Sequence, residues 1–185
     1  EVMFIAINDT KVIAIHEVEW QCRRRAKGLD KSAYWTWLET VTTENENGIK
    51  TYDFSGEDYE IVETDAPLSY ESTVDGVIST ISFKESGHIT TNVEGIYYHL
   101  KWDGTKIVKD DTAKAAWELA EEWKRIRKER TRLLAETDWV VIKARENGGQ
   151  VPAAWKTYRV ALRDLPAEQS DKTKYSEITW PTQPS

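Results

Sequence analysis

The sequence predicts an α+β protein with an antiparallel, β-rich N-terminal half, a C-terminal αα-hairpin and an extended tail. Short runs rich in β-branched and aromatic residues recur through residues 1–109, separated by turn-forming residues. From Asp110 onward, apolar residues instead recur at the three- and four-residue steps of amphipathic helices. We therefore expect two domains, residues 1–109 and residues 110–185.

The N-terminal half begins with a predicted β-hairpin. Residues 2–7 and 11–16 are apolar and rich in β-branched side chains, and Asn8-Asp9-Thr10 between them favours a turn. Asp103-Gly104 predicts a second hairpin, with residues 105–108 as its return strand. The other strands are predicted at residues 49–54, 59–62, 77–83, 88–93 and 96–102.

One short helix is expected within this half. Asp30 and Ser32 are suitable N-caps for a helix through residues 34–38. Trp35 and Trp37, however, alternate around Thr36, which also allows a strand-like or exposed face. The basic cluster at residues 23–27 is interpreted as a solvated turn.

The C-terminal part is predicted to contain two antiparallel helices. The first runs from Asp110 to near Thr137, and the second begins at Pro152 and ends before Pro166. Their apolar stripes predict that Trp123 packs against residues of the second helix, namely Trp155 or Tyr158. Residues 167–185 have no periodicity and are expected to be extended.

Composition excludes several function classes. The formal net charge is -7 and the isoelectric point is near 5.1, which argues against a nucleic-acid-binding surface. No apolar stretch approaches the roughly eighteen residues of a membrane helix, so we expect neither a membrane span nor a signal peptide. The single cysteine, Cys22, cannot form an intrachain disulfide and is interpreted as a packing residue.

A search for catalytic or ligand-binding motifs gives little. His16, His88 and His99 lie far apart, without a second ligand at metal-site spacing. Cys22 has no adjacent base, and the sequence contains no glycine-rich phosphate loop. We therefore predict that the protein is not an enzyme, has no metal site and needs no cofactor.

The aromatic content favours a binding role. The chain contains nine tryptophans and eight tyrosines, residue types that are enriched at protein interfaces and in sugar-binding clefts. The alternative is that many of these rings fill the core, which is expected for Trp117, Trp123 and Trp155 because they lie at helical spacing.

An ordered pattern of residues closes the chain. Its elements are Leu133-Leu134, Thr137-Asp138-Trp139, Trp155, Tyr158-Arg159, Leu162-Arg163-Asp164, Pro166 and Trp180-Pro181. This set resembles the C-terminal region of tailed-bacteriophage tail assembly chaperones and tail fibre assembly proteins, over roughly residues 115–185. The segment between Trp139 and Trp155 departs from the family, because it contains Asn147-Gly148-Gly149 and basic residues where relatives tend to be acidic.

The resemblance implies a non-enzymatic role as a tail-associated virion subunit or a fibre assembly factor, made in the host cytoplasm and located in the virion tail. Its implied partners are phage tail, baseplate or tail fibre proteins, or further copies of this chain, without nucleic acid or membrane. The alternative is a carbohydrate-binding module for host adhesion, with stacking platforms at Trp35, Trp37, Tyr97 and Tyr98. The residues that match the pattern and are expected to bind a partner are Trp139, Trp155, Tyr158, Arg159, Leu162 and Trp180.

Overall fold

A computed structural model of the protein describes residues 2–92 and 95–184. Glu1, Val93, Glu94 and Ser185 lie outside the described residues, including the predicted end of the strand at residues 88–93. The strands are β1 (Met3–Asn8), β2 (Lys11–His16), β3 (Thr42–Glu44), β4 (Lys50–Tyr52), β5 (Glu60–Thr64), β6 (Ser69–Val74), β7 (Val77–Ser82), β8 (Ile89–Asn92), β9 (Gly95–Tyr98), β10 (Leu100–Trp102) and β11 (Ile107–Lys109). The helices are α1 (Glu19–Ala26), α2 (Lys31–Thr40), α3 (Asp111–Glu136), α4 (Asp138–Glu146) and α5 (Ala153–Glu168), followed by a 3-10 turn at Tyr175–Glu177.

These elements confirm the α+β class. Residue contacts divide the chain into two units, residues 1–114 and residues 115–185. All strands belong to the first unit, and every strand pairing in the described residues is antiparallel. The second unit is helical and ends in a largely extended segment.

A five-stranded sheet with the order β11-β10-β2-β1-β5 forms the centre of the first unit. The predicted β1–β2 hairpin is confirmed, with Asp9 at φ 59° in its turn. Because successive side chains of a strand point to opposite faces, Ile5 and Ile7 enter one buried cluster while Ala6 enters another. Both faces of the sheet are therefore covered.

Helix α1 covers one of these faces and corrects the interpretation of the basic cluster. Residues 23–26 belong to this helix rather than to a solvated turn. The reason is Cys22, which is fully buried in one cluster with Ala6 and Ala14. The charged side chains of residues 23–27 obscure the buried position of Cys22 in the sequence, because only one face of α1 is apolar.

Helix α2 is confirmed, with Asp30 as its N-cap. The Asp30 carboxylate accepts a hydrogen bond from the backbone N–H of Ala33 at 2.8 Å. Trp35 and Trp37 therefore lie on a helix, and the strand-like alternative for them is wrong. Trp35 is 43% exposed, as the other alternative allowed.

The β10–β11 hairpin lies at one edge of the five-stranded sheet. The other strands form three separate two-stranded sheets, β3–β4, β6–β7 and β8–β9. The hairpin predicted at Asp103-Gly104 is confirmed by the pairing of Trp102 with Ile107. The strand predicted at residues 96–102 is interrupted at His99, between β9 and β10. Strands β3 and β6 were not predicted, because they are short or polar and are specified by their pairing with β4 and β7.

The second unit contains the predicted antiparallel helix pair. Leu165 near the end of α5 packs with Ile126 in the middle of α3, whereas Arg159, earlier in α5, contacts Leu134 near the end of α3. This order of contacts requires the two helices to run in opposite directions. The αα-hairpin is therefore confirmed.

Two details of this helix pair differ from the prediction. Helix α4 was not predicted and occupies most of the connection between α3 and α5. Helix α5 continues past Pro166 to Glu168, although Pro166 cannot donate a hydrogen bond to the Leu162 carbonyl.

The expected pairing of Trp123 with Trp155 or Tyr158 is not observed among the described residues. Trp123 packs against a buried cluster of Ile126, Leu165 and Ile178, whereas Trp155 stacks edge-on with Tyr158. The extended tail supplies Ile178 to this cluster and folds back onto the helices. The Gln169 amide holds it there, donating to the Thr179 carbonyl and accepting from the Thr179 N–H, both at 2.8 Å.

Replacing Ile126 by Ala tests whether this cluster is the core of the second unit. Ile126 is fully buried, so its truncation should lower the free energy of unfolding by about 2–5 kcal/mol. Ile142→Ala is the matched control, since Ile142 is 55% exposed and should change stability by less than about 0.5 kcal/mol. Urea unfolding followed by tryptophan fluorescence measures the stability of both variants. Equal losses of stability would show that Ile126 does not lie in the core of the second unit.

Candidate partner-binding site

Arg159 joins three segments of the second unit. Its Nη1 donates to the Leu134 carbonyl at 2.9 Å and to the Thr137 hydroxyl at 2.6 Å, and its Nη2 pairs with the Asp138 carboxylate at 2.7 Å. Leu134 lies in the last turn of α3, and its carbonyl also accepts hydrogen bonds from the Thr137 N–H at 3.1 Å and the Thr137 hydroxyl at 2.9 Å. Thr137 links α3 to α4 and is fully buried. One guanidinium therefore fixes the end of α3 and the start of α4 against α5.

Aromatic rings extend this junction toward the surface. Trp139 meets Trp155 edge-on at 6.1 Å between ring centroids, and Trp155 meets Tyr158 edge-on at 6.2 Å. Tyr158 is buried and Trp155 is half-buried, whereas Trp139 is 54% exposed. Ile142, one turn further along α4, is also exposed, so Trp139 and Ile142 form an apolar surface on this helix.

Trp180 lies in a different place, on the cluster formed by the tail. Its ring contacts Tyr175 at 5.7 Å, and the Arg125 guanidinium covers the Tyr175 ring at 4.2 Å. The Glu122 carboxylate accepts a hydrogen bond from the Tyr175 N–H at 2.6 Å. The tail is thus attached to α3 by polar and apolar contacts.

The six residues predicted to bind a partner are therefore distributed over two places. Trp139, Trp155, Tyr158 and Arg159 come together at the junction of α3, α4 and α5, while Trp180 lies on the tail cluster. Leu162 is fully buried on α5. Trp139 is the most exposed member of the set, and the inward-facing members hold the unit together. Their role in partner binding remains a prediction.

The structure adds an open groove between α3 and the tail that sequence patterns did not indicate. It has a volume of about 780 Å³ and is lined by Leu119, Glu122, Arg125 and Tyr175, among others. Its two walls are distant in sequence, so only the folded-back tail creates it.

A second groove, of about 410 Å³, lies between α4 and α5. Its lining includes Arg145, Lys156, Arg159 and Arg163 and contains no carboxylate. This basic groove was also missed, although a signal was present. Lys156, Arg159 and Arg163 recur at helical steps of three and four residues, beside the apolar stripe of α5.

The turn at Gly148 shapes one end of the basic groove. Gly148 has φ 65°, in the left-handed region that favours glycine. The Gly149 N–H donates to the Ala144 carbonyl at 2.8 Å and the Gly148 N–H to the Arg145 carbonyl at 3.1 Å, which is a Schellman termination of α4. The Asn147-Gly148-Gly149 sequence is therefore the signal that ends this helix.

The fold encloses Cys22, the candidate nucleophile. Cys22 is fully buried, and burial raises the pKa of its thiol to about 11. Within the described residues, no group of three or more His, Cys, Asp or Glu side chains is placed to hold a metal ion. No described helix is long and apolar enough to span a membrane.

The four rings considered for carbohydrate stacking do not share one exposed surface. Tyr98 is buried, and Trp37 and Tyr97 are half-buried, so Trp35 is the exposed member. Trp35 lines a cleft of about 350 Å³ together with Trp20 and Tyr52. The Glu19 and Arg23 side chains at this cleft are paired with each other at 2.7 Å.

Replacing Arg159 by Ala tests its structural role. The change removes the Arg159 donor from the buried Thr137 hydroxyl, while the Leu134 carbonyl keeps the Thr137 N–H and hydroxyl as donors, so we expect a loss of about 1–3 kcal/mol in unfolding free energy. Arg163→Ala, on the same helix, is the control and should cost less than about 0.5 kcal/mol. If both variants unfold at the same urea concentration as the wild type, Arg159 does not fix the junction.

Cys22 should be unreactive in the folded protein. A buried thiol with a pKa of about 11 is protonated at pH 8 and shielded from reagents. Ellman's reagent should therefore label it only after denaturation. Rapid labelling of the native protein would contradict this placement.

Comparison with known proteins gives one result for the C-terminal region. Residues 123–185 match the family model described as phage tail assembly chaperone protein. No curated protein and no solved structure matches the chain. The matched region contains Arg159, the Trp139–Trp155–Tyr158 rings and the tail with Trp180. The C-terminal region of this chain is thus similar to phage tail assembly chaperone proteins, which confirms the resemblance drawn from its closing pattern.

Proposed function

We propose that this protein is a non-enzymatic bacteriophage tail assembly protein that binds tail or tail fibre components through its C-terminal unit. The observation that carries the proposal is the family match over residues 123–185, which coincides with a region that has its own buried cluster. The proposed partners are tail, baseplate or fibre proteins.

The surface around Trp139 supports a binding role for this unit. Trp139 and Ile142, one turn apart on α4, are exposed by 54% and 55% respectively. Trp139 packs edge-on against the Trp155 ring. A tryptophan held in this way is rigid and offers a large contact area, which is typical of residues that anchor protein interfaces. We propose that Trp139 is the anchor and that Trp155, Tyr158 and Arg159 position it.

The N-terminal unit is proposed to be a separate folding domain that adapts the protein to its particular phage. It has its own sheet and buried clusters. Its strands lie outside the part of the chain that matches the family model.

Carbohydrate binding is the second candidate function, favoured by the exposed Trp35 in its aromatic cleft. A sugar site combines a stacking ring with several free hydrogen-bonding groups. At this cleft Glu19 and Arg23 form an ion pair with each other, so they are not free to bind sugar hydroxyls. The tail-assembly proposal is therefore better supported than carbohydrate binding.

Trp139→Ala and Trp35→Ala distinguish the two functions, because each removes one exposed indole from a different unit. If the protein binds tail components through Trp139, Trp139→Ala should reduce its co-purification with tail proteins from infected cells by about tenfold or more. Trp35→Ala should leave the recovered amount unchanged.

The opposite pattern would refute the proposal. Host-surface glycan binding that is lost in Trp35→Ala, together with full tail recovery of Trp139→Ala, would support the carbohydrate-binding alternative. Circular dichroism of both variants provides the control for folding. Mass spectrometry of purified virions separates a subunit that stays in the tail from a factor that acts only during assembly.

A further inference from the structure

We propose that the basic groove between α4 and α5 binds an acidic segment of the tail protein partner. The proposal rests on the proposed function, since it names the chemistry by which the C-terminal unit recognises that partner. The groove would take an extended peptide that alternates carboxylate and apolar side chains.

The charge of this region is opposite to that of the chain as a whole. The protein carries a formal net charge of -7, yet α4, α5 and the connection between them, residues 138–168, contain five basic and four acidic residues, a net charge of +1. The folded chain brings four of these cations, Arg145, Lys156, Arg159 and Arg163, to one groove. The concentration of positive charge is therefore local and created by the packing of α4 beside α5.

Most of this charge is available to a ligand. In the described part of the chain, Arg145, Lys156 and Arg163 form no ion pair, and all three residues are exposed. The Arg159 guanidinium donates hydrogen bonds to Asp138, Thr137 and the Leu134 carbonyl. Arg159 therefore lines the groove in a fixed position. Three like charges on one groove repel each other, and a bound carboxylate relieves this repulsion.

The apolar part of the lining favours a peptide over a nucleic acid. Val141, Ala144 and Val151 lie among the cations and offer contact to aliphatic side chains. A volume of about 410 Å³ suits a few residues of a peptide. The overall negative charge repels a long phosphate backbone, whereas arginine fits a single carboxylate through two parallel hydrogen bonds.

The groove also has a defined shape before it binds. The Schellman turn at Gly148 ends α4, and Arg159 holds the start of that helix to α5. Both ends of one wall are thus fixed by hydrogen bonds. A preformed groove loses less conformational entropy on binding than a flexible basic loop would.

Lys156→Glu and Lys128→Glu form a matched pair for the test. Both lysines are exposed and helical, and both substitutions change the net charge equally, but Lys128 lies on α3 outside the groove. The probe is a labelled peptide that alternates Glu with Leu. We expect Lys156→Glu to weaken its binding by about tenfold or more and Lys128→Glu by less than about twofold. Binding should also weaken as salt increases.

Three results would overturn the inference, and a pair of Arg163 variants provides a further check. Equal binding of the peptide by the two lysine variants would show that the groove is not the site. Binding of a peptide with Lys in place of Glu would exclude charge recognition, and stronger binding of single-stranded DNA would assign the groove to nucleic acid. Arg163→Lys keeps the charge and should retain most of the binding, whereas Arg163→Glu should not.

Co-purification with tails separates this inference from the proposed function. If the wild type and Lys128→Glu are recovered with tails and Lys156→Glu is not, the groove proposal and the proposed tail function are both supported. If both lysine variants are recovered as well as the wild type, the groove proposal fails and the tail function stands. If the wild type itself is not recovered, the proposed function fails.

Discussion

The organisation of the C-terminal unit depends on the hydrogen bonds of one guanidinium. Arg159 reaches the last turn of α3, the buried Thr137 and the first residue of α4 at once. A planar, multidentate donor is required for this, because the three acceptors belong to different segments. Without it, α4 would be held by the burial of Val140 and by the contact of Trp139 with Trp155.

This junction explains why the closing pattern of the sequence contains the residues it does. Thr137-Asp138-Trp139 lies against Trp155 and Tyr158-Arg159, so two elements of the pattern are two sides of one contact. Trp180 packs elsewhere, against the cluster of Ile126 and Leu165. Much of the pattern therefore encodes the fold of the C-terminal unit, and our proposals assign partner contact to the exposed Trp139 and the basic groove.

Local sequence signals were sufficient for some elements. Capping by Asp30, the hairpin turns at Asp9 and Gly104, and the long stripe of α3 depend on neighbouring residues and could be predicted. Helices α1 and α4 could not be predicted in the same way. Helix α1 is short and largely polar and is defined by the burial of Cys22, whereas α4 is a short segment whose start is fixed by the ion pair of Asp138 with the distant Arg159.

The candidate site was predictable to a similar extent. The sequence indicated Trp139 and Arg159, but it could not separate exposed from buried members of the same pattern. Tyr158 and Leu162 lie on the stripe that faces the core, so their burial follows from the position of α3. The helical spacing of Lys156, Arg159 and Arg163 was visible in the sequence, but the basic groove also required the packing of α4 against α5, which no local pattern indicates.

Carbodiimide cross-linking in infected-cell lysate tests the central claim most directly, because the reagent joins a lysine amine to a carboxylate in direct contact. If the C-terminal unit docks an acidic segment of a tail protein, Lys156 should cross-link to Asp or Glu residues of that protein. Lys31 and Lys50 of the N-terminal unit are exposed and serve as internal controls. Cross-links to tail proteins from Lys31 or Lys50, with none from Lys156, would contradict the account.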